Sequence, residues 1–168
     1  HRTTRDMRRI AQVPAPREHR ISAHVVRNYF YFLRMTSITY KKLSRKFPAK
    51  KLKIFFNESS PGKTLSQCQN IIDYSSVIIG AYDNKRLIGV GRSLDDKVYA
   101  FITDIIVNSD YRGKGIGSEI VKVLCDQLVK RKVKVIHCST KKKLVPFYQK
   151  AVKFECDPDD ITLFLKNF

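Results

Sequence analysis

Hydrophobic residues in the first half of the chain follow three patterns, each typical of a different element. Thr64 precedes apolar residues at helical spacing, which predicts an N-capped helix reaching residue 72. Residues 77–82 and 86–92 are apolar runs on either side of a short polar turn, which predicts a β-hairpin. Residues 98–107 are apolar almost throughout and predict a central strand buried on both faces.

The second half continues with alternating helical and strand patterns. A long amphipathic helix is predicted to begin near Gly115, with its inner face formed by residues at helical spacing. These residues are Ile116, Ile120, Val123, Leu124 and Leu128. The following patterns predict a strand over residues 133–138, a helix over residues 142–152 and a closing strand over residues 161–165.

Two segments lack a periodic pattern. Residues 41–53 are basic and interrupted by Pro48, which predicts an irregular segment, and the polar residues 57–62 predict a loop. The remaining elements run in the order helix, hairpin, strand, helix, strand, helix, strand. That order predicts an α/β or α+β domain in which helices flank a mixed central sheet.

Composition changes this picture at the N-terminal end. The chain has 168 residues, 43% of them hydrophobic, and a formal net charge of +18. Residues 1–34 contain eight Arg and no Lys, whereas all twenty Lys lie later in the chain. We therefore expect residues 1–34 to be a basic extension, either a targeting segment, an appended arm or a disordered tail. The folded domain is expected to span residues 35–168.

The spacing of potential metal ligands does not predict a metal site. The four Cys are far apart, no CxxC pair is present, and the four His do not cluster with them. No apolar run approaches the roughly 20 residues that a membrane span requires. Such cysteine usage is typical of a reducing compartment.

The most informative stretch joins the central strand to the long helix. Three of the seven glycines, Gly113, Gly115 and Gly117, lie within five residues there, beside Arg112 and Lys114. Glycine allows positive φ and a close approach of ligand to backbone, and the N–H groups at a helix start attract anions. The spacing matches neither a dinucleotide fingerprint nor a P-loop. The turn therefore predicts a pyrophosphate site of another kind.

The pattern R-G-x-G-x-G at residues 112–117, following a buried strand, is similar to the acetyl-CoA motif of the GNAT N-acetyltransferase superfamily. Phe147 and Tyr148, followed by Phe154 and the acidic turn at residues 157–160, resemble the plastid and cyanobacterial branch typified by serotonin N-acetyltransferase. Algal plastid-encoded acetyltransferase-like proteins belong to the same branch. The resemblance covers residues 76–168 and implies a GNAT-like mixed sheet, acetyl-CoA as cosubstrate, no metal, and a plastid location, with the cytoplasm as the alternative.

The resemblance also implies roles for individual residues. The backbone of a strand segment would pair with the pantetheine arm of acetyl-CoA, and backbone N–H groups of the turn would hold its pyrophosphate. The strand segment is Ile105, Ile106 and Val107; the turn is Arg112, Gly113, Lys114, Gly115, Ile116 and Gly117. Tyr148 matches the tyrosine that protonates the departing CoA thiolate in many members, although a tyrosine on an apolar helix face is also typical of a core.

Asp104 interrupts the apolar strand just before the pantetheine segment. A charge in such a strand is costly to bury unless it is paired or has a function. An amine acceptor is mostly protonated at neutral pH and must lose a proton before it attacks the thioester. Asp104 is therefore a candidate base, acting directly or through water. The alternative is that Asp104 is the ion-pair partner of a nearby base such as Arg92.

The implied reaction is direct transfer of acetyl to a primary amine in a ternary complex. The acceptor is open between an arylalkylamine such as serotonin, a protein Lys and a protein N-terminus. The sequence departs from the family pattern at Lys153, where Gly is usual, at Ser139-Thr140, where Asn is common, and in a longer interval between Tyr148 and Phe154.

Two other functions stay open at this point. The Arg-rich extension with its aromatic residues 29–32 would suit a nucleic-acid-associated protein. No reading motif accompanies that extension, so nucleic acid is not the favoured partner. A degenerate family member would bind acetyl-CoA without turnover. The expected partner is a small-molecule or protein amine, and the protein itself is expected to be a monomer or a homodimer.

Overall fold

The structure is a computed structural model, and it describes residues 38–155. Five strands, four α-helices and two short 3-10 helices make up these residues. The strands are β1 Ile38–Lys42, β2 Val77–Asp83, β3 Arg86–Asp95, β4 Tyr99–Val107 and β5 Val135–Cys138. The α-helices are α1 Ala49–Ser59, α2 Leu65–Tyr74, α3 Ile116–Lys130 and α4 Val145–Val152, and the 3-10 helices are Ser109–Tyr111 and Lys142–Leu144.

The five strands form one mixed sheet in the order β1-β2-β3-β4-β5. Neighbouring strands are antiparallel except β4 and β5, which are parallel. A parallel pair needs a crossover, and α3 supplies it. The predicted mixed sheet flanked by helices is therefore confirmed. The predicted strand at residues 161–165 lies outside the described residues.

One face of the sheet packs against α3. Its apolar side, including Ile120 and Leu124, is fully buried against residues of β2, β3 and β4. Gly89 and Gly91 of β3 allow this close approach, since a Cβ at Gly89 would lie 2.9 Å from Ile120 and one at Gly91 would overlap it. The hydrophobic pattern of β3 alone does not indicate this role for the two glycines.

The other face is covered by α1 and α2. Leu52, Phe55 and Phe56 of α1 pack with Ile72 of α2 against Val90 of β3. Thr64 caps α2 as predicted, because its hydroxyl accepts a hydrogen bond from the Gln67 N–H and the Gln67 side chain accepts from the Thr64 N–H.

The expectation of an irregular segment at residues 41–53 was wrong. The region holds the end of β1 and the first part of α1, and α1 continues to Ser59 through part of the predicted loop. Leu52, Phe55 and Phe56 have helical spacing, but lysines fill the outer face and hide the pattern. Pro48 marks the start of α1 rather than a break, as proline suits a helix start.

Strand β4 contains a β-bulge. Val90 pairs with Ile106 and Arg92 with Thr103, so Asp104 and Ile105 together face the single residue Gly91. Asp104 takes the extra position with φ +52°, which is uncommon for a residue other than glycine. The extra residue changes the alternation: even-numbered residues before it pack under α3, and odd-numbered residues after it do so.

The expectation that residues 98–107 are buried on both faces was wrong for the first part of β4. Tyr99 and Phe101 are 55% and 40% exposed, and their rings lie on the face opposite α3. In β5, Ile136 rather than Val135 packs into the core. Helices α1 and α2 cover this face around β2, β3 and the second part of β4. The apolar composition of residues 98–107 therefore predicted more burial than the first part of β4 has.

Candidate active site

The sheet splits between β4 and β5. Their pairing runs from Tyr99 opposite Val135 to Ile102 opposite Cys138, and β5 then ends while β4 continues to Val107. Within the described residues, the second part of β4 therefore has a strand neighbour only on the β3 side. An extended ligand can pair with the other side as an added strand would.

Backbone alternation identifies the groups that face this split. The Asn108 N–H donates to the Ile88 carbonyl of β3 at 2.9 Å. The backbone N–H and C=O groups of successive residues in a strand point alternately to its two sides. The backbone groups of Ile106 therefore also face β3, whereas those of Ile105 and Val107 face the split. Of the three residues predicted to bind pantetheine, two therefore present their backbone groups to the open side.

The glycine turn lies between Val107 and α3. Gly113 and Gly115 have φ of +73° and +78°, and a Cβ at either position would meet no atom within 4 Å. Gly115 is the N-cap of α3, whose first N–H groups have no acceptor within the helix. This open surface of N–H groups and positive helix dipole suits an anion.

Gly117 and Ile116 contribute to this turn in a different way. A Cβ at Gly117 would lie 3.3 Å from the Phe147 ring, so Gly117 allows α4 to pack closely on α3. The Ile116 side chain is fully buried in the core. Only their backbone N–H groups are therefore available to a ligand.

The two basic side chains of the turn fold back onto the protein. Arg112 donates from Nε to the Val107 carbonyl at 3.0 Å and from its guanidinium to the Ser59 carbonyl at 3.3 Å. Lys114 donates to the Asp110 carbonyl at 2.7 Å. Both side chains hold the turn in shape and leave positive charge beside it.

An anchor that the sequence reading missed joins the turn to the β2–β3 hairpin. The Tyr111 hydroxyl donates to the buried Asp83 carboxylate at 2.8 Å. The Asn108 side chain accepts from the Asp110 N–H at 3.2 Å and thereby caps the 3-10 helix Ser109–Tyr111 at its N-terminal end. Tyr111 and Asp83 are 28 residues apart, so no local pattern could reveal the pair.

Asp104 projects toward the α1–α2 side of the bulge and is bound by two cations. Arg92 donates from Nε to Oδ2 at 2.7 Å, and Lys63 Nζ lies 3.5 Å from Oδ1. Lys63 also lies over the Phe56 ring, 5.1 Å from its centroid. The ion pair with Arg92 is the alternative that the sequence left open.

Tyr148 lies on α4 at the closed end of the split. It is 9% exposed and packs edge-on against Phe147 and Phe154, in a cluster that also contacts Ile105 and Cys138 at the ends of β4 and β5. Burial raises the pKa of the Tyr148 phenol, Cys138 raises it further, and a hydrogen bond with Thr140 opposes both effects. Tyr148 is thus a core residue, and its cluster packs against both strands that border the split.

The split sheet, the open glycine turn and the positive helix terminus define a site for an extended ligand that carries an anionic group. The model of the Acetyltransferase (GNAT) family matches residues 39–154, and the chain belongs to this family. The resemblance inferred from residues 112–117 is therefore confirmed.

Three comparisons show the range of similar proteins. The chain is 36% identical over 78 residues to GCN5-related N-acetyltransferase 2, chloroplastic, of Arabidopsis thaliana, which covers 46% of this chain and 30% of that protein. It is 29% identical over 117 residues to the uncharacterized N-acetyltransferase ycf52 of Pyropia yezoensis, covering 69% of this chain and 60% of that protein. A GNAT family acetyltransferase structure from Streptococcus pneumoniae aligns with TM-score 0.63 and 24% identity over 77% of this chain and 98% of that chain.

The comparisons with whole proteins are partial, since the chain spans about a third of the length of the Arabidopsis relative. The likeness to the solved structure, under 25% identical, shows the fold alone. Among residues 38–155, His, Cys, Asp and Glu side chains form no group that could hold a metal ion. No helix in this part of the chain has the length and apolar character needed to cross a membrane.

Proposed function

We propose that the protein is an acetyl-CoA-dependent N-acetyltransferase that transfers acetyl directly to a primary amine. The observation that carries the proposal is the split beside Ile105 and Val107, which leads to the open turn at Gly113 and Gly115. The pantetheine arm of acetyl-CoA would pair with the outward backbone groups of Ile105 and with the Val107 N–H, since the Val107 carbonyl already accepts from Arg112. Its pyrophosphate would bind the N–H groups at the start of α3.

The reaction needs an amine, a polarised carbonyl and a proton for the leaving thiolate. The amine nitrogen attacks the thioester carbon, the C–N bond forms, and the C–S bond breaks as the thiolate leaves. The Ile105 N–H, which faces the split just after the bulge, is placed to donate to the carbonyl oxygen.

Tyr148 is the proposed donor of the proton to the thiolate. Burial and the neighbouring Cys138 raise the pKa of this phenol, so it remains protonated at neutral pH and can donate. The cluster to which Tyr148 belongs also contacts Ile105 and Cys138, which supports a position near the point where β4 and β5 part. A hydrogen bond with Thr140, one of the two residues at the position where family members commonly have Asn, supports the orientation of this phenol.

We assign Asp104 a positioning role rather than that of a free base. Its carboxylate already accepts from Arg92 and faces Lys63, and its backbone forms the extra position of the bulge. By fixing the bulge, Asp104 orients the following Ile105 N–H. The proton of the acceptor amine then leaves to water.

The acceptor class and the cellular location belong to the same proposal. An arylalkylamine, a protein Lys and a protein N-terminus all supply a primary amine to the split. The chloroplastic relative supports a plastid location, which a fluorescent fusion of the whole protein in plant cells would show or exclude.

Release of CoA thiol from acetyl-CoA, measured with a panel of amines, peptides and arylalkylamines, tests the proposal. Gly115→Glu places a carboxylate in the anion site, so acetyl-CoA binding and turnover should fall at least tenfold below Gly115→Gln. The two variants share size and the strain of positive φ, and they differ only in charge. Binding of acetyl-CoA without release with any amine would identify a degenerate member. A protein that neither binds acetyl-CoA nor releases CoA thiol would contradict the proposed site.

A further inference from the structure

A basic surface lies on β1, the following turn and the start of α1. It consists of six exposed side chains: Lys41, Lys42, Arg45, Lys46, Lys50 and Lys51. None of them forms an ion pair with a carboxylate among residues 38–155. The sequence has no Asp or Glu between residues 38 and 57, so the positive field of this β1–α1 surface is not compensated locally.

Helix α1 connects this surface to the candidate active site. At its C-terminal end, the Ser59 carbonyl accepts from Arg112 of the glycine turn at 3.3 Å. Lys63, four residues further, faces Asp104 of the bulge. With a rise of about 1.5 Å per residue, Lys51 lies about 12 Å along the helix from Ser59. About four residues of extended polypeptide span that distance.

Three carboxylates at the bulge, beside the glycine turn and at the end of α1 already have partners. Asp104 is bound by Arg92 and Lys63, and Asp83 accepts from Tyr111. Glu58 at the end of α1 pairs with Arg86. A small cationic amine therefore meets a positive field with little to offset it. An acceptor that carries its own carboxylates is attracted by the same field.

We infer that the acceptor is an amine of a polypeptide with acidic side chains about four residues away, held by the β1–α1 surface. This inference rests on the proposed acetyl transfer and specifies its acceptor. The acidic side chains pair with the lysines at the start of α1 while the amine enters the split beyond the end of the same helix.

Three peptides test the inference, each with one lysine amine and a blocked N-terminus. One has Asp and Glu four and five residues from the lysine, the second has Ser there, and the third has Arg. With the acidic peptide, kcat/KM should exceed that of the neutral peptide by about tenfold at low salt, and the difference should shrink in high salt. Fluorescence anisotropy of labelled peptides measures binding independently of turnover.

A charge-matched pair of variants locates the effect. Lys46→Gln/Lys50→Gln/Lys51→Gln should abolish the preference for the acidic peptide in binding and in turnover, and leave turnover of the neutral peptide unchanged. The control variant is Lys130→Gln/Lys132→Gln/Lys134→Gln. It removes the same charge at and just beyond the C-terminal end of α3, about 22 Å from Gly115, and should keep the preference.

Three results would overturn the inference. These are equal binding and turnover of the peptides, preference for the Arg peptide, and an equal effect of both triple variants. Duplex DNA or RNA bound through Lys46, Lys50 and Lys51, without any preference for the acidic peptide, would make the surface a nucleic-acid site instead. Failure of CoA release with every acceptor, despite tight binding of the acidic peptide, would refute the proposed function and retain the docking surface.

Discussion

Replacing Asp104 by asparagine separates the two roles that its carboxylate can have. Asparagine tolerates positive φ as aspartate does, so the bulge geometry costs no more than before. The loss is the charged hydrogen bond from Arg92 at 2.7 Å, between side chains that are 18% and 19% exposed. Such a bond contributes about 1.5–3 kcal/mol. We therefore expect the free energy of unfolding to fall by about 2 kcal/mol, which lowers the Tm by about 8 °C.

A positioning role and a base role differ in how far turnover falls. If Asp104 positions the bulge, Asp104→Asn lowers kcat modestly and the rate still rises with pH as the acceptor amine loses its proton. If Asp104 is the base, kcat falls about 10²–10⁴-fold. Urea unfolding, CoA thiol release from pH 6 to 9, and a double-mutant cycle with Arg92→Gln make these measurements. An asparagine variant that is as stable as the parent and has lost about 10²-fold or more in kcat would refute the positioning role.

Two further predictions concern Tyr148 and Asp95. Tyr148→Phe should lower kcat at least tenfold while changing acetyl-CoA affinity less than twofold, because the ring packing survives and the proton donor does not; unchanged kcat in thiol release would remove Tyr148 from the chemistry. Burial alone would raise the pKa of the Asp95 carboxyl, but hydrogen bonds from Arg131 and Ser76 outweigh it and hold the pKa below its usual value. The resulting stability is present above the usual carboxyl pKa and lost as pH falls below about 4 toward the lowered value. Asp95→Asn should cost about 1.5–3 kcal/mol at pH 7, since it removes the charged hydrogen bonds from Arg131, a side chain that is partly hydrated, and should flatten the acid side of the stability curve. An unchanged Tm between pH 3 and 7 in the parent would contradict this assignment.

The parts of the site that could be predicted from sequence are those that local chain geometry creates. A strand, a glycine turn and a helix start follow one another within residues 105–117, so the anion site needs no distant partner. The N-cap at Thr64 and the apolar side of α3 are likewise local, because the residues that form each of them are three or four positions apart. Their patterns in the sequence therefore corresponded closely to the elements in the structure.

The remaining features depend on residues that are far apart in the chain. Lys63 meets Asp104 across 41 positions, and Arg112 meets Ser59 across 53. The lysines of α1 also hid its apolar side, so the sequence predicted an irregular segment where the helix begins. The burial of β4 could not be judged without knowing which part of the sheet α1 and α2 cover. Side-chain periodicity identifies an element, but it does not identify what covers that element.

The bulge at Asp104 has a consequence for the independence of core and site. Removing one residue there would restore plain alternation, with Ile102, Ile105 and Val107 still packed beneath α3 and Ile106 still facing α1. The hydrophobic core therefore does not require the extra residue. The pairing of β4 with β5 ends at Ile102, two residues before Asp104, so the extra residue lies where the sheet opens. It shapes the candidate site and adds nothing that the packing beneath α3 needs.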